Sequence, residues 1–282
     1  MTVIPLAVAA VVLTAATASW LLRHLAGRDP GYLWLLCCGL GSSALVNLAV
    51  KQPLAHTVAS AGGVEAEVGP AAPLWFLVFA LLLPPVAEEA VKAAPALLPA
   101  VRARARRSWL LTGIALGTGY GIGEAGFVAG VMAVSGDHAG TPWWHFSFFA
   151  AERVVASFGH GVMTALVLRG FFADRPRRLL GCLAAVALHG LLNLGPFLNQ
   201  VVDVPPVLLA LGLPAGVVVP ALVFAHLLRQ GGTGVVRAEA DRVWRPDWAL
   251  APGPDTARPP DPGPPDPRPR DPGPPDPRPR ES

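Results

Sequence analysis

Seven apolar stretches, at about 2–22, 31–50, 72–91, 109–134, 145–168, 179–199 and 205–228, leave this chain one fold class. Each is close to the ~20 helical residues that cross the hydrocarbon core of a bilayer. In lipid every backbone N–H and C=O has to be satisfied within the protein, so such stretches fold as helices. Composition agrees: 52% of the 282 residues are hydrophobic and only 15% are charged, which is the balance of a polytopic membrane protein rather than a soluble domain. The expectation is an all-α bundle of about seven transmembrane helices in a cell membrane.

The basic residues orient it. Arg23 and Arg28 follow the first stretch, Arg102, Arg104, Arg106 and Arg107 the third, and Arg169, Arg175, Arg177 and Arg178 the fifth; Arg229, Arg237, Arg242 and Arg245 follow the last. The alternate loops carry one base, Lys51, with Glu65, Glu67, Asp137 and Asp203. The positive-inside rule then puts the N-terminus outside and the C-terminus in the cytoplasm. A signal-peptide reading of the first stretch lacks the basic start such a peptide has, and cleavage would leave Arg23 and Arg28 outside. The arginine-rich loops follow from this topology and are not read as nucleic-acid sites.

Three regions follow: a two-helix segment over 1–71, a membrane core over 72–229, and a tail over 230–282. In the tail DPGPPDPRPR occupies 261–270 and repeats identically over 271–280. Such a composition buries no core and is expected to be disordered and PPII-like. Cys37, Cys38 and Cys182 lie in apolar stretches and show neither a disulfide framework nor metal-ligand spacing.

Charge inside the apolar stretches is the functional signal. Pro84-Pro85-Val86-Ala87-Glu88-Glu89-Ala90-Val91-Lys92 directly follows about a dozen apolar residues. A charge at membrane depth costs roughly 2.5–3.5 kcal/mol on insertion scales, and those retained usually serve chemistry or transport. The two prolines are expected to break the third helix, with Pro85 starting a new one. Glu88 and Glu89 would then sit in or just after its first turn, where the helix dipole favours carboxylates. Lys92, four residues after Glu88, would pair with it and leave Glu89 the freer carboxylate.

The fourth stretch is rich in glycine, with pairs at 113/117, 119/123 and 126/130 that let helices approach closely. Its one charge is Glu124, with Tyr120 a turn earlier on the same face. The fifth carries Glu152 and Arg153 near its outer end and His160 at mid-depth; the sixth carries His189 and, one turn on, Asn193.

Two chemistries suit Glu88, Glu89, Glu124, His160, His189 and Asn193 brought together. A desolvated carboxylate can act as general base on water while histidine and asparagine donors stabilise an oxyanion. Alternatively His160, His189 and Glu124 form the ligand set of a catalytic zinc that leaves one position for water. There is no His-Glu-x-x-His motif.

Taken in order, Glu88-Glu89-x-x-Lys92, Tyr120-x-x-x-Glu124, His160 and His189-x-x-x-Asn193 resemble the PrsW family of intramembrane proteases. That family belongs to a wider group with the CAAX prenyl endopeptidases and bacteriocin-processing or immunity proteins. The wider group has Glu-Glu-x-x-x-Arg and Phe-x-x-x-His; lysine at spacing three and glutamate in the second motif favour PrsW, while Tyr120 stands where phenylalanine is frequent. The resemblance covers about 72–199. It implies hydrolysis of a peptide bond of a membrane-anchored protein, such as an anti-sigma-type regulator, by a metallo or glutamic mechanism. On that reading Glu88 or Glu89 activates water, His160, His189 and Asn193 stabilise the oxyanion or bind metal, Glu124 transfers protons or supports them, and Lys92 and Tyr120 hold the set. The rival expectations are a proton-coupled transporter using the same Glu/His chain and an inactive binding or immunity homologue.

Overall fold

A computed structural model of the chain describes residues 3–26, 29–135, 149–172, 175–202 and 205–231. These lie within one compact unit, Met1–Val243. The tail residues from 232 onward, the outer-loop acids Asp137 and Asp203, and Arg28 lie outside the described residues.

Among the described residues every regular element is helical. In order these are α1 (Val3–Ala26), α2 (Gly31–Leu45), a π-helical turn (Val46–Lys51), α3 (Gln52–Ala61), α4 (Leu74–Ala93), a 3₁₀ turn (Ala94–Leu97), α5 (Pro99–Arg107), α6 (Trp109–Ser135), α7 (Phe149–Phe171), α8 (Arg175–Val201) and α9 (Pro206–Gly231). Each of the seven apolar stretches is therefore helical over nearly all of its described residues, and the protein is a polytopic helix bundle. Five helical runs among the described residues are long and apolar enough to span: Pro5–Ala26, Gly31–Ala61, Leu74–Leu97, Phe149–Phe171 and Pro176–Val201. The second is longer than its apolar stretch because α2, the π turn and α3 run on without a break.

The bundle is built around α6. Residues 110–122 are buried at every position, with Leu111, Ile114 and Leu116 packed against Val162, Met163 and Leu168 of α7. Glycine makes this possible. A Cβ at Gly113, Gly117 or Gly121 would collide with the α7 backbone at Ala165, His160 and Ser157; one at Gly119 or Gly123 would collide with the α2 carbonyls of Leu36 and Leu40. The glycines thus form two stripes, one for each neighbour. Gly126 and Gly130 meet nothing within contact distance among the described residues, so the third expected pair makes no close approach there.

At one end of the bundle, Arg104 of α5 pairs with Asp29 and lies over the Tyr32 ring, so the first two basic loops meet.

The expected break at Pro84-Pro85 is absent: α4 is one helix with both prolines inside it. The prolines offer no N–H to the carbonyls of Ala80 and Leu81, a loss that breaks most helices. Here Pro85, Glu88, Glu89 and Lys92 are buried at the 3–4–7 spacing of a single stripe. Just past the prolines that stripe is bound to the rest of the bundle, Glu88 by Lys51 and Glu89 by His189. The glutamates consequently sit near the C-terminal, negative end of the helix dipole, not at a helix start.

Candidate functional site: a buried carboxylate, lysine and histidine cluster

Helix geometry sets the depth. His160 is the central residue of α7. At ~1.5 Å per residue, Glu124 and His189 lie about 3 Å and 1.5 Å from the centres of α6 and α8. Glu88 on α4 and Lys51 on the Gly31–Ala61 run lie roughly 7 Å from theirs. Five separate elements bring charge to one level at mid-length of the bundle.

The centre is Lys92, whose ammonium is fully enclosed. Nζ lies 2.6 Å from Glu89 Oε1, 2.8 Å from His160 Nδ1 and 3.8 Å from Glu88 Oε2. It also sits 4.6 Å from the centroid of the buried Tyr120 ring, a cation–π arrangement that strengthens where water is excluded. An ammonium only donates, so His160 Nδ1 accepts and its Nε2–H is left to donate to Glu124 Oε2 at 3.1 Å. Glu124 in turn receives Arg153 at 3.4 Å. Arg153 also pairs with its neighbour Glu152.

The pairing of the two glutamates is the reverse of that expected. Lysine reaches i−3 as readily as i−4 on a helix, and Lys92 takes the closer bond to Glu89. Glu89 Oε1 also accepts from His189 Nδ1 at 2.8 Å. It is therefore Glu89 that is held on two sides. Glu88 is held through Oε1 alone, by Lys51 Nζ at 2.7 Å. Its Oε2 has no hydrogen-bond partner among the described residues and faces His189 Nε2 at 3.6 Å. Glu89 Oε2 and the Tyr120 hydroxyl are likewise buried without a partner.

Lys51 is the residue the sequence analysis placed elsewhere. It is not on an outer loop but ends the π-helical turn, and its ammonium points into the cluster. One signal was available: Glu88 and Glu89 side by side in lipid leave a negative charge uncompensated by Lys92 alone. Asn193 is the residue the structure leaves out. It is half-buried one turn beyond His189 on α8 and makes no hydrogen bond with the other described residues.

The donors give a mixed answer on zinc. Glu88, rather than Glu124, groups with His160 and His189, each offering a ligand atom within 4.8 Å of the others. Of these atoms Glu88 Oε2 makes no hydrogen bond among the described residues; His189 Nε2 lies 3.6 Å from it and Lys92 Nζ 3.8 Å. Both ring nitrogens of His160 are engaged, by Lys92 and by Glu124, while a catalytic zinc takes three protein ligands. Charge weighs the same way. Glu88, Glu89, Glu124 and the more exposed Glu152 already meet Lys51, Lys92 and Arg153, and a divalent ion would leave an enclosed site with net positive charge. The set as arranged does not fit a zinc centre.

What it can do is hold one carboxylate oxygen and one imidazole nitrogen facing each other, each fixed from behind. No protein-family model, no curated protein and no solved structure matches the chain.

Proposed function

We propose that the protein is an intramembrane endopeptidase with PrsW-like, glutamate-based chemistry, acting on a membrane-anchored protein such as an anti-sigma-type regulator. One observation carries the reading: Glu88 Oε2, which makes no hydrogen bond among the described residues, faces His189 Nε2 at 3.6 Å, while Lys51 and Glu89 fix the other side of each. A water seated to one side of the pair, within hydrogen-bond reach of both atoms, donates one hydrogen to each and keeps its lone pairs for attack. Glu88 takes a proton as the hydroxide adds to the scissile carbonyl, then gives it to the leaving amine as the C–N bond breaks. The Tyr120 hydroxyl, a buried donor, supplies a hydrogen bond to the oxyanion. Glu89 holds the His189 ring, and His160 with Glu124 holds Lys92. The cytoplasmic C-terminus belongs to the same proposal.

The test is to map N-termini in membranes of cells expressing wild type or the Glu88→Gln/Glu89→Gln variant at matched levels. New termini in or beside other proteins' spans, present with wild type alone and unchanged by 1,10-phenanthroline, support the proposal. Their absence at good coverage overturns it, and loss with the chelator overturns the glutamate-based part.

A second reading, proton-coupled transport, has its own observation. Ion pairs and hydrogen bonds link Lys51, Glu88, Lys92, His160, Glu124, Arg153 and Glu152 in an unbroken line, from Lys51 through the buried Glu88 carboxylate to Glu152, whose side chain is 42% exposed. Such chains carry protons in pumps. Proton flux in proteoliposomes that is lost on Glu124→Gln selects this reading.

A further inference from the structure

Lys51 lies outside every motif that marks the site, on a helical run that the resemblance does not reach. Three observations give it a task. Its Nζ donates to Glu88 Oε1 at 2.7 Å. It ends a π-helical turn, Val46–Lys51, in an otherwise regular run, and isolated π turns within α-helices are frequently found at functional sites. A polar stripe at spacing four, Ser43, Asn47 and Lys51, leads along the same face, with Asn47 Nδ2 donating to the Ser43 carbonyl at 2.9 Å.

The charges explain why a second ammonium is needed. Groups facing Glu88 come from each element around it: Glu89 and Lys92 on α4, Tyr120 on α6, His160 on α7, His189 on α8, and Lys51. Of the two ammonium groups, Lys92 lies closest to Glu89 and stands 3.8 Å from Glu88. An enclosed carboxylate with no cation of its own takes up a proton, and a protonated carboxyl is no base. Bonding at Oε1 also decides which oxygen is left over.

We propose that Lys51 is a positioning residue for the hydrolytic site: its ammonium, bonded to Oε1, is the cation paired with Glu88 and leaves Oε2 turned toward His189. This rests on the hydrolytic reading of the cluster. Lys51 is also the edge of the site, its side chain 20% exposed against 1% for Glu88, so a cation from the periphery controls a base in the interior.

Two measurements on the full-length protein in detergent test it. The first needs no substrate. Dicyclohexylcarbodiimide, an apolar reagent, modifies protonated carboxyls in apolar surroundings. At pH 7 Glu88 stays unmodified in wild type and Lys51→Arg; in Lys51→Met its labelling, read by peptide mass spectrometry, rises at least tenfold. The second follows the wild-type-specific N-termini in isolated membranes over time. Lys51→Met slows their appearance at least tenfold, and Lys51→Arg restores it to within about threefold. A merely structural lysine would lower the yield of folded protein without changing Glu88 labelling. Where Lys51→Met gives no folded protein, Lys51→Gln carries the same two measurements. Wild-type labelling and processing in the neutral variants overturn the proposal. Unchanged termini in Glu88→Gln and Glu89→Gln overturn the hydrolytic reading instead, while the labelling result still decides whether Lys51 holds Glu88 ionised.

Discussion

Helices α4 and α6 cross the same bundle and invert each other. On α6 residues 110–122 are buried at every position, and its inward devices are small. On α4 the apolar residues Leu74, Trp75, Val78, Leu82 and Val86 are exposed, and the buried stripe holds two glutamates and a lysine. Hydropathy does not tell inside from outside here, because lipid tails are as apolar as leucine and offer helices no hydrophobic reason to associate. Close backbone packing holds α6, and ion pairs hold α4. The scaffold and the chemistry are carried by different forces, so they can be broken separately.

The largest effect is expected from Gly117→Leu. The glycine faces the His160 carbonyl and Gly161 across the α6–α7 contact. A leucine there meets backbone, which does not yield as a side-chain end would, and the cost is about 3 kcal/mol or more. The expected result is loss of the monodisperse species in mild detergent, with all site function gone because His160 itself is displaced. A well-folded Gly117→Leu protein would mean that α6 is not the packed centre.

Next is Glu88→Gln. It keeps the shape and the Lys51 contact but removes the proposed base, so wild-type-specific N-termini should appear at least about 10²-fold more slowly, with the protein folded. Lys92→Met is the contrasting substitution on the same helix. It strips the ammonium from Glu89 and from His160 together, and removing one partner of a buried pair costs about 3–5 kcal/mol. Thermal unfolding in detergent separates them: a small shift for Glu88→Gln and a large one for Lys92→Met. The reverse order would show that Glu88, not Glu89, is the structural carboxylate.

That division of roles was only half legible in the sequence. The helices were, since length and apolarity in lipid admit little else, and so was the overlap in depth of Glu124, His160 and His189, with Glu88 and Glu89 expected toward the cytoplasmic half. Pro84-Pro85 misled because tertiary context overrides local propensity: the residues just past the prolines are tied to other helices through Lys51–Glu88 and His189–Glu89. The Glu88/Glu89 assignment failed because spacings of three and four are equivalent for a side chain as long as lysine. Lys51 was hidden by its position just past an apolar stretch, where a base usually marks a loop; nothing local announces that the helix continues through a π turn to Ala61. Gly113, Gly117 and Gly121 were visible as small residues, but only the packing shows that they share a face separate from that of Gly119 and Gly123.

The smallest effects make the sharpest comparison, because the same substitution is made on both helices. Leu111 on α6 is 0% exposed and Leu82 on α4 is 49% exposed. Leu111→Ala opens a cavity against the α7 packing and should cost about 2–5 kcal/mol. Leu82→Ala removes atoms whose neighbours in a membrane are lipid tails, which fill the space, so stability should change by about 0.5 kcal/mol or less. Thermal or denaturant unfolding of the two variants in the same detergent reads the difference directly. Equal costs would mean that Leu82 is covered in the working protein, which would make the outer face of α4 a protein contact. A large gap would leave that face to lipid. In that case α4 is held in the bundle by its charged stripe, and the groups proposed for catalysis are also what keeps their own helix in place.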